Sequence, residues 1–153
     1  MKNVVDILTN YTLVSAVAGW CIAQFAKVFT GMFRKEKFSL IHLVFSTGGM
    51  PSSHSAMISA LCAAGGIEYG VGSFQFAITF VLAMMVMRDA AGVRKEVDEQ
   101  AKAINELREK LFSWPLDDAT LKELVGHTPL QVLIGAIVGV ITAFAARLVY
   151  SIL

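Results

Sequence analysis

Four consecutive residues, Pro51-Ser52-Ser53-His54, bring two hydroxyls and an imidazole to the start of an apolar helix, behind Gly48-Gly49-Met50. A helix N-terminus presents N–H groups that lack intrahelical acceptors, together with the positive end of the dipole. Serine adds donors, and histidine gives or takes a proton near neutral pH. This set suits a phosphate group. A second histidine stands in Gly126-His127-Thr128-Pro129, where Thr128 can cap a helix and Pro129 can open it. A helix N-terminus disfavours imidazolium, so histidines at two such ends are suited to meeting an anion. Lys27 lies inside an apolar run. Gln24, Lys27, Gly31 and Arg34 share one helix face by their spacing. Two readings of Lys27 stand: an inward-facing polar stripe, or a stem that snorkels to the headgroups. His42, in an apolar stretch, reads as structural.

The elements that must hold these residues are read from composition and periodicity. The chain has 153 residues, 56% of them hydrophobic and 16% charged, with the charges clustered. Its net charge of +1 excludes a large basic surface for nucleic acid. Cys21 and Cys62 both sit in apolar stretches and read as reduced packing residues. No basic n-region with a cleavage site marks a signal peptide.

A bilayer span needs about 20 mostly apolar residues. Four stretches qualify or nearly do, at about 13–33, 53–69, 73–87 and 130–153. The second is rich in Ala, Ser and Gly, so it is expected to face other helices. Residues 38–46 are apolar but too short to cross and read as re-entrant or interfacial. Between the third and fourth spans lies a charged segment, 88–125. In it Val93, Val97, Ala101, Ile104, Leu107 and Leu111 recur at helical spacing. This predicts an amphipathic helix outside the hydrocarbon, ended at Ser113-Trp114-Pro115. A short helix capped by Asp117 and stopped at Gly126 would follow. The expected fold is all-α and integral to the membrane: one domain over 1–153, with about four transmembrane helices and a cytoplasmic amphipathic helix.

Basic residues set the orientation. They follow the first span and fill the 88–125 segment, whereas the connection between the second and third spans has no Lys or Arg. The positive-inside rule then puts both basic segments in the cytoplasm and both termini outside. Lys2 and Arg147 run against this and are outnumbered. In that topology His54, His127 and Lys27 converge on the cytoplasmic side.

These residues resemble the superfamily of type-2 phosphatidic acid phosphatases and vanadium haloperoxidases, in its small divergent bacterial branch. The family's first motif is Lys, six residues, Arg, Pro. Lys27 and Arg34 keep that spacing, and Lys35 replaces the proline. The second, Pro-Ser-Gly-His, appears as Pro51-Ser52-Ser53-His54. The third is Ser-Arg, five residues, His, three residues, Asp. His127 fits, while Leu121 replaces the arginine and Gln131 the aspartate. The resemblance covers nearly the whole chain, including Arg88-Asp89-Ala90-Ala91-Gly92-Val93-Arg94.

The resemblance implies a phosphatase that works through a phosphohistidine, without a metal or other cofactor. His127 would be the nucleophile and His54 the acid for the leaving oxygen. Lys27, Arg34, Ser52 and Ser53 would hold the phosphate oxygens. Physical requirements agree: covalent catalysis needs a neutral nucleophile and a proton donor, and developing charge needs fixed cationic donors. For the missing aspartate, Gln131 could accept the His127 ring N–H, or Asp89 could take over. Arg94 would then replace the missing arginine. The competing reading makes Asp89 the cap of the amphipathic helix and Arg94 an interfacial anchor.

Two function classes follow. One is an integral-membrane phosphatase acting on a lipid phosphate or another phosphomonoester at the inner leaflet of a bacterial inner membrane. The other is an inactive descendant that binds phospholipid headgroups or serves as an assembly subunit. The expected partners are a phosphate-bearing substrate and membrane lipid, with no nucleic acid. A thin four-helix bundle is also compatible with a homo-oligomer.

Overall fold

The computed structural model describes residues 2–32, 49–111 and 127–152. Every regular element among them is a helix: α1 Lys2–Leu8, α2 Tyr11–Met32, α3 Ser53–Tyr69, α4 Phe74–Ala91, α5 Val93–Leu111 and α6 Pro129–Tyr150.

Each boundary has a local cause. Asn10 starts α2, its side-chain oxygen accepting Leu13 N–H at 3.0 Å and Thr12 Oγ1–H at 2.6 Å. Ser52 caps α3, and Gly70 ends it at a φ of 86°, where a side chain would be strained. Ser73 caps α4 through Phe76 N–H, and Gly92 closes it. At α6, Thr128 and Gln131 form a reciprocal capping box, with Pro129 in the first turn.

The middle of the bundle is α3. It packs on α6, α2 and α4; α2 also lies along α6, while α4 and α6 touch little. The facing side chains are small. Ala16, Ala23, Ala56, Ala60, Ala64 and Ala143 are buried, whereas Phe25, Phe29, Phe74, Phe80, Leu133 and Phe144 are exposed. This distribution inverts that of a water-soluble core and suits a hydrocarbon solvent, where helices associate through close backbone approach. A Cβ on Gly139 would overlap the Ala56 carbonyl oxygen, and one on Gly135 the Ser52 carbonyl oxygen. From α2, Gly19 stands equally close to Ala56 and Ala60.

Successive helices of the bundle run up and down. At one end Tyr11 donates its hydroxyl to the Ala143 carbonyl at 2.8 Å and meets the Tyr150 ring edge-on. The Arg147 guanidinium lies 5.5 Å from the Tyr11 ring centroid, a cation–π distance. The C-terminal end of α2, the N-termini of α3 and α6 and the C-terminal end of α4 therefore gather at the other end.

Among the described residues, three helices are long and apolar enough to cross a membrane: Tyr11–Thr30, the apolar part of Phe74–Leu107, and Pro129–Tyr150. The expected second span is the 17-residue α3. At 1.5 Å per residue it reaches roughly 26 Å, short of a hydrocarbon core of about 30 Å. It is enclosed by its neighbours and does not meet the length criterion by itself.

The structure moves several expected boundaries. The first long helix begins at Tyr11, not Leu13, because Asn10 caps it. The third continues to Ala91, not Met87, since Arg88 and Asp89 do not interrupt a helix that Gly92 can end. The fourth spans Pro129–Tyr150, and α1 was not anticipated. The amphipathic helix forms at Val93–Leu111, as its periodicity predicts. The expected re-entrant segment 38–46, its His42, the helix ending at Ser113-Trp114-Pro115 and the helix from Asp117 to Gly126 lie outside the described residues.

Candidate functional site

Gly49 opens the segment that enters α3. Its φ of 90° needs glycine, and its Cα faces the aliphatic stem of Lys27, with 3.8 Å between the position of a Cβ and Lys27 Cγ. The Met50–Pro51 peptide is cis. Thr30 Oγ1 donates to the Met50 carbonyl at 2.7 Å, tying the segment to α2 one turn beyond Lys27. Ser52, Ser53 and Ser55 are all buried. Ser52 accepts Ser55 N–H at 3.4 Å, and the Ser55 hydroxyl donates to Ser52 Oγ at 3.0 Å.

Lys27 is only 8% exposed, and its ammonium donates to Ser53 Oγ at 3.2 Å. Gln24, one turn earlier, is buried too. Gln24 and Lys27 of the stripe therefore face inward, and the snorkelling reading of Lys27 does not hold. A buried ammonium is costly to desolvate and is retained where it meets acceptors or an anion.

A second set of contacts joins the same serines to α6. Ser52 N–H donates to the Gln131 carbonyl at 3.2 Å, so the start of α3 sits on the first turn of α6. Close approach at Gly135 permits this. One turn back, His127 N–H donates to the Ala90 carbonyl at 3.2 Å, and His127 is 4% exposed. Thus α4 delivers its last turn, with Asp89, to the backbone of His127. His54 follows Ser53 in the first turn of α3 and is half-buried.

Three segments far apart in the sequence therefore meet: Lys27, Pro51 to His54, and His127 to Gln131, with Asp89–Ala90 against the last. Two helix N-termini end in this region, each with donors suited to an anion. Hydroxyls, a buried cation and two histidines in one region can bind an oxyanion and move protons at it.

Two candidate roles change. The Gln131 amide oxygen accepts Thr128 N–H at 2.9 Å in the capping box, so this side chain serves the helix end. Asp89 is not the cap of α5. It lies inside α4, and the Lys95 and Glu96 N–H groups of α5 bond to the Gly92 carbonyl. Arg94 stands in the first turn of α5, past the break at Gly92. Arg34 and Leu121 lie outside the described residues.

Thr30 and Gly135 were not singled out from the sequence. A signal existed for Thr30, which lies three residues after Lys27 on the same face. For Gly135 the signal was its small size, four residues from Gly139 on one side of α6.

The chain matches a family model described as the divergent PAP2 family over residues 8–142. It is similar to the uncharacterized membrane protein YuiD of Bacillus subtilis (strain 168), 38% identical over 148 residues, covering 89% of this chain and 93% of that protein. No solved structure matches it. The family model spans the motifs of Lys27, His54 and His127, and on that match this membrane protein belongs to the divergent PAP2 family.

Proposed function

We propose that this protein is a membrane phosphatase that hydrolyses a lipid phosphate or other phosphomonoester through a phosphohistidine. A His127 ring nitrogen attacks phosphorus, and the bond from phosphorus to the leaving oxygen breaks. His54, protonated, gives its proton to that oxygen. Water, losing a proton to His54, then attacks the phosphoryl group. The P–N bond breaks and releases inorganic phosphate and neutral His127. Lys27, Ser52 and Ser53, with Arg34 and Arg94, hold the phosphate oxygens and the charge that develops on them. Asp89 orients the His127 ring. The site faces the cytoplasm in a bacterial inner membrane and takes its substrate from the inner leaflet.

The observation that carries this reading is the buried bond from the Lys27 ammonium to Ser53, beside the Ser52–Gln131 contact that leads to His127. The experiment is phosphate release from a generic phosphomonoester by the purified full-length protein, with His127→Ala and Asp89→Asn alongside. His127→Ala is expected to abolish release and the acid-labile phosphoryl label on the protein. Asp89→Asn is expected to lower kcat by on the order of a hundredfold while leaving KM near its starting value.

A second reading has its own observation. Gln131, at the position where the resembling family has an aspartate, is committed to capping α6. A chain that kept the anion pocket without the catalytic carboxylate would bind headgroups and not hydrolyse them. Equal phosphate release from wild type and His127→Ala would favour that binder.

A further inference from the structure

Helix α5 turns two different faces to its surroundings. On one, Asp98 and Ala101 are buried against the chain itself, and Lys102 holds Asp98 at 2.7 Å. On another, Val93, Val97, Ile104 and Leu107 form an apolar stripe, interrupted by Gln100, that the described residues leave uncovered, each between 41% and 57% exposed. Along the helix the stripe steps from Val93 to Val97, Gln100, Ile104 and Leu107, and the sequence continues it at Leu111. These steps of four and three are the a/d pattern of a coiled-coil seam, narrower than the face of a helix that packs on a globular core.

The occupant is set by charge. The five basic and five acidic residues of α5 cancel, so the helix has no net attraction to an anionic leaflet. The row that flanks the seam on its free side reads Glu96, Ala103, Lys110, one heptad apart. All three are exposed. The row is antisymmetric about Ala103. Turned by a two-fold axis through Ala103, it sets Glu96 against Lys110 of a second copy, and Lys110 against Glu96, with two small residues at the axis. A two-fold interface needs this kind of self-complementarity. The opposite flank is the side on which Ala101 is already buried, which leaves only this row to face a partner.

We propose that the α5 seam is the interface with a second copy of this chain, packed antiparallel, with Glu96 and Lys110 paired across it. The interface does not depend on phosphatase activity. It begins directly after Gly92, next to the end of α4 that supports His127, so the dimer would brace the site from outside.

The test is resonance energy transfer between donor-tagged and acceptor-tagged full-length chains in phosphatidylcholine vesicles, over a range of protein-to-lipid ratios. Wild type is expected to transfer well above random proximity and to lose the signal only on strong dilution. Glu96→Lys and Lys110→Glu each bring like charges together twice and should weaken association about tenfold. The double variant should restore it. No transfer above random proximity, or a double variant as weak as the singles, would overturn the proposal. An Ile104→Trp chain quenched by brominated lipid equally at every protein density would also overturn it, by placing the seam in lipid.

Discussion

Lys27 places an ammonium among hydroxyls, under the start of α3, where it donates to Ser53. A cation taken from water into such a place lowers stability unless its contacts return the desolvation cost. A neutral side chain of similar length, as in Lys27→Met, should therefore leave the fold as stable as before or more so. The same change should weaken a bound phosphate, since a close charged contact is worth about 2–5 kcal/mol, or roughly thirtyfold and more in affinity. Thermal denaturation and phosphate inhibition, measured on one preparation, check both halves. A fall in both would make Lys27 a structural cation. Asp89 shows a related tension. It is an acid in the last turn of α4, the end of a helix dipole that disfavours anions. Such a placement fits a carboxylate held for its chemistry better than one held for helix stability.

Among the elements, α3 carries the site because α2 and α6 approach its backbone within the width of a glycine. The Ser52 carbonyl lies where a Gly135 Cβ would be, and the Ala56 carbonyl where a Gly139 Cβ would be. Neither backbone can move aside cheaply. Gly135→Ala and Gly139→Ala should each cost about 1–3 kcal/mol, the usual range for overpacking. Gly72→Ala, with open space around it, should cost little. Thermal denaturation in detergent reads this directly. At Gly135 the shift should also reach the Ser52–Gln131 contact and lower phosphate binding, whereas Gly139, one turn further, should spare binding more than stability.

The elements also mark what the sequence could and could not reveal. Hydropathy located the apolar helices to within a few residues, and the 93–111 periodicity located α5. Thr128 and Pro129 announced the start of α6 correctly, because caps have side-chain signatures. The inward stripe of Gln24 and Lys27 was legible for the same reason, since 3.6-residue spacing needs no tertiary information. What remained hidden are contacts made by backbone. The Ser52–Gln131 and His127–Ala90 hydrogen bonds join residues far apart, and any residue type offers the same N–H and C=O. The capping role of Gln131 is a related case: an amide one turn after a histidine has the spacing of a partner for it, and its oxygen accepts the backbone N–H of Thr128. The short α1 has no strong periodicity to announce it.

For the whole molecule, the two ends of the bundle differ in a way that predicts its orientation. At the end away from the site, Tyr11, Tyr150 and Arg147 form an aromatic–cation cluster, and Tyr150 donates to the Leu8 carbonyl at 3.4 Å. Tyrosines of this kind favour a membrane–water boundary. Arg147 is the main charge against a cytoplasmic site, yet it is spent on the Tyr11 ring face. The connection from α3 to α4 at this end has no Lys or Arg, while α5, at the other end, carries five. The positive-inside rule then predicts α5 in the cytoplasm and Gly72 outside. A Gly72→Cys chain should react with a membrane-impermeant maleimide in intact cells, and a Lys95→Cys chain only after the membrane is opened. Cys62 is buried and Cys21 half-buried, so each needs replacement by Ser before the comparison. The reverse labelling pattern would turn the site to the outer face. It would leave the proposed phosphate site standing but supply its substrate from the outer leaflet, so the labelling decides which lipid pool the proposed phosphatase can reach.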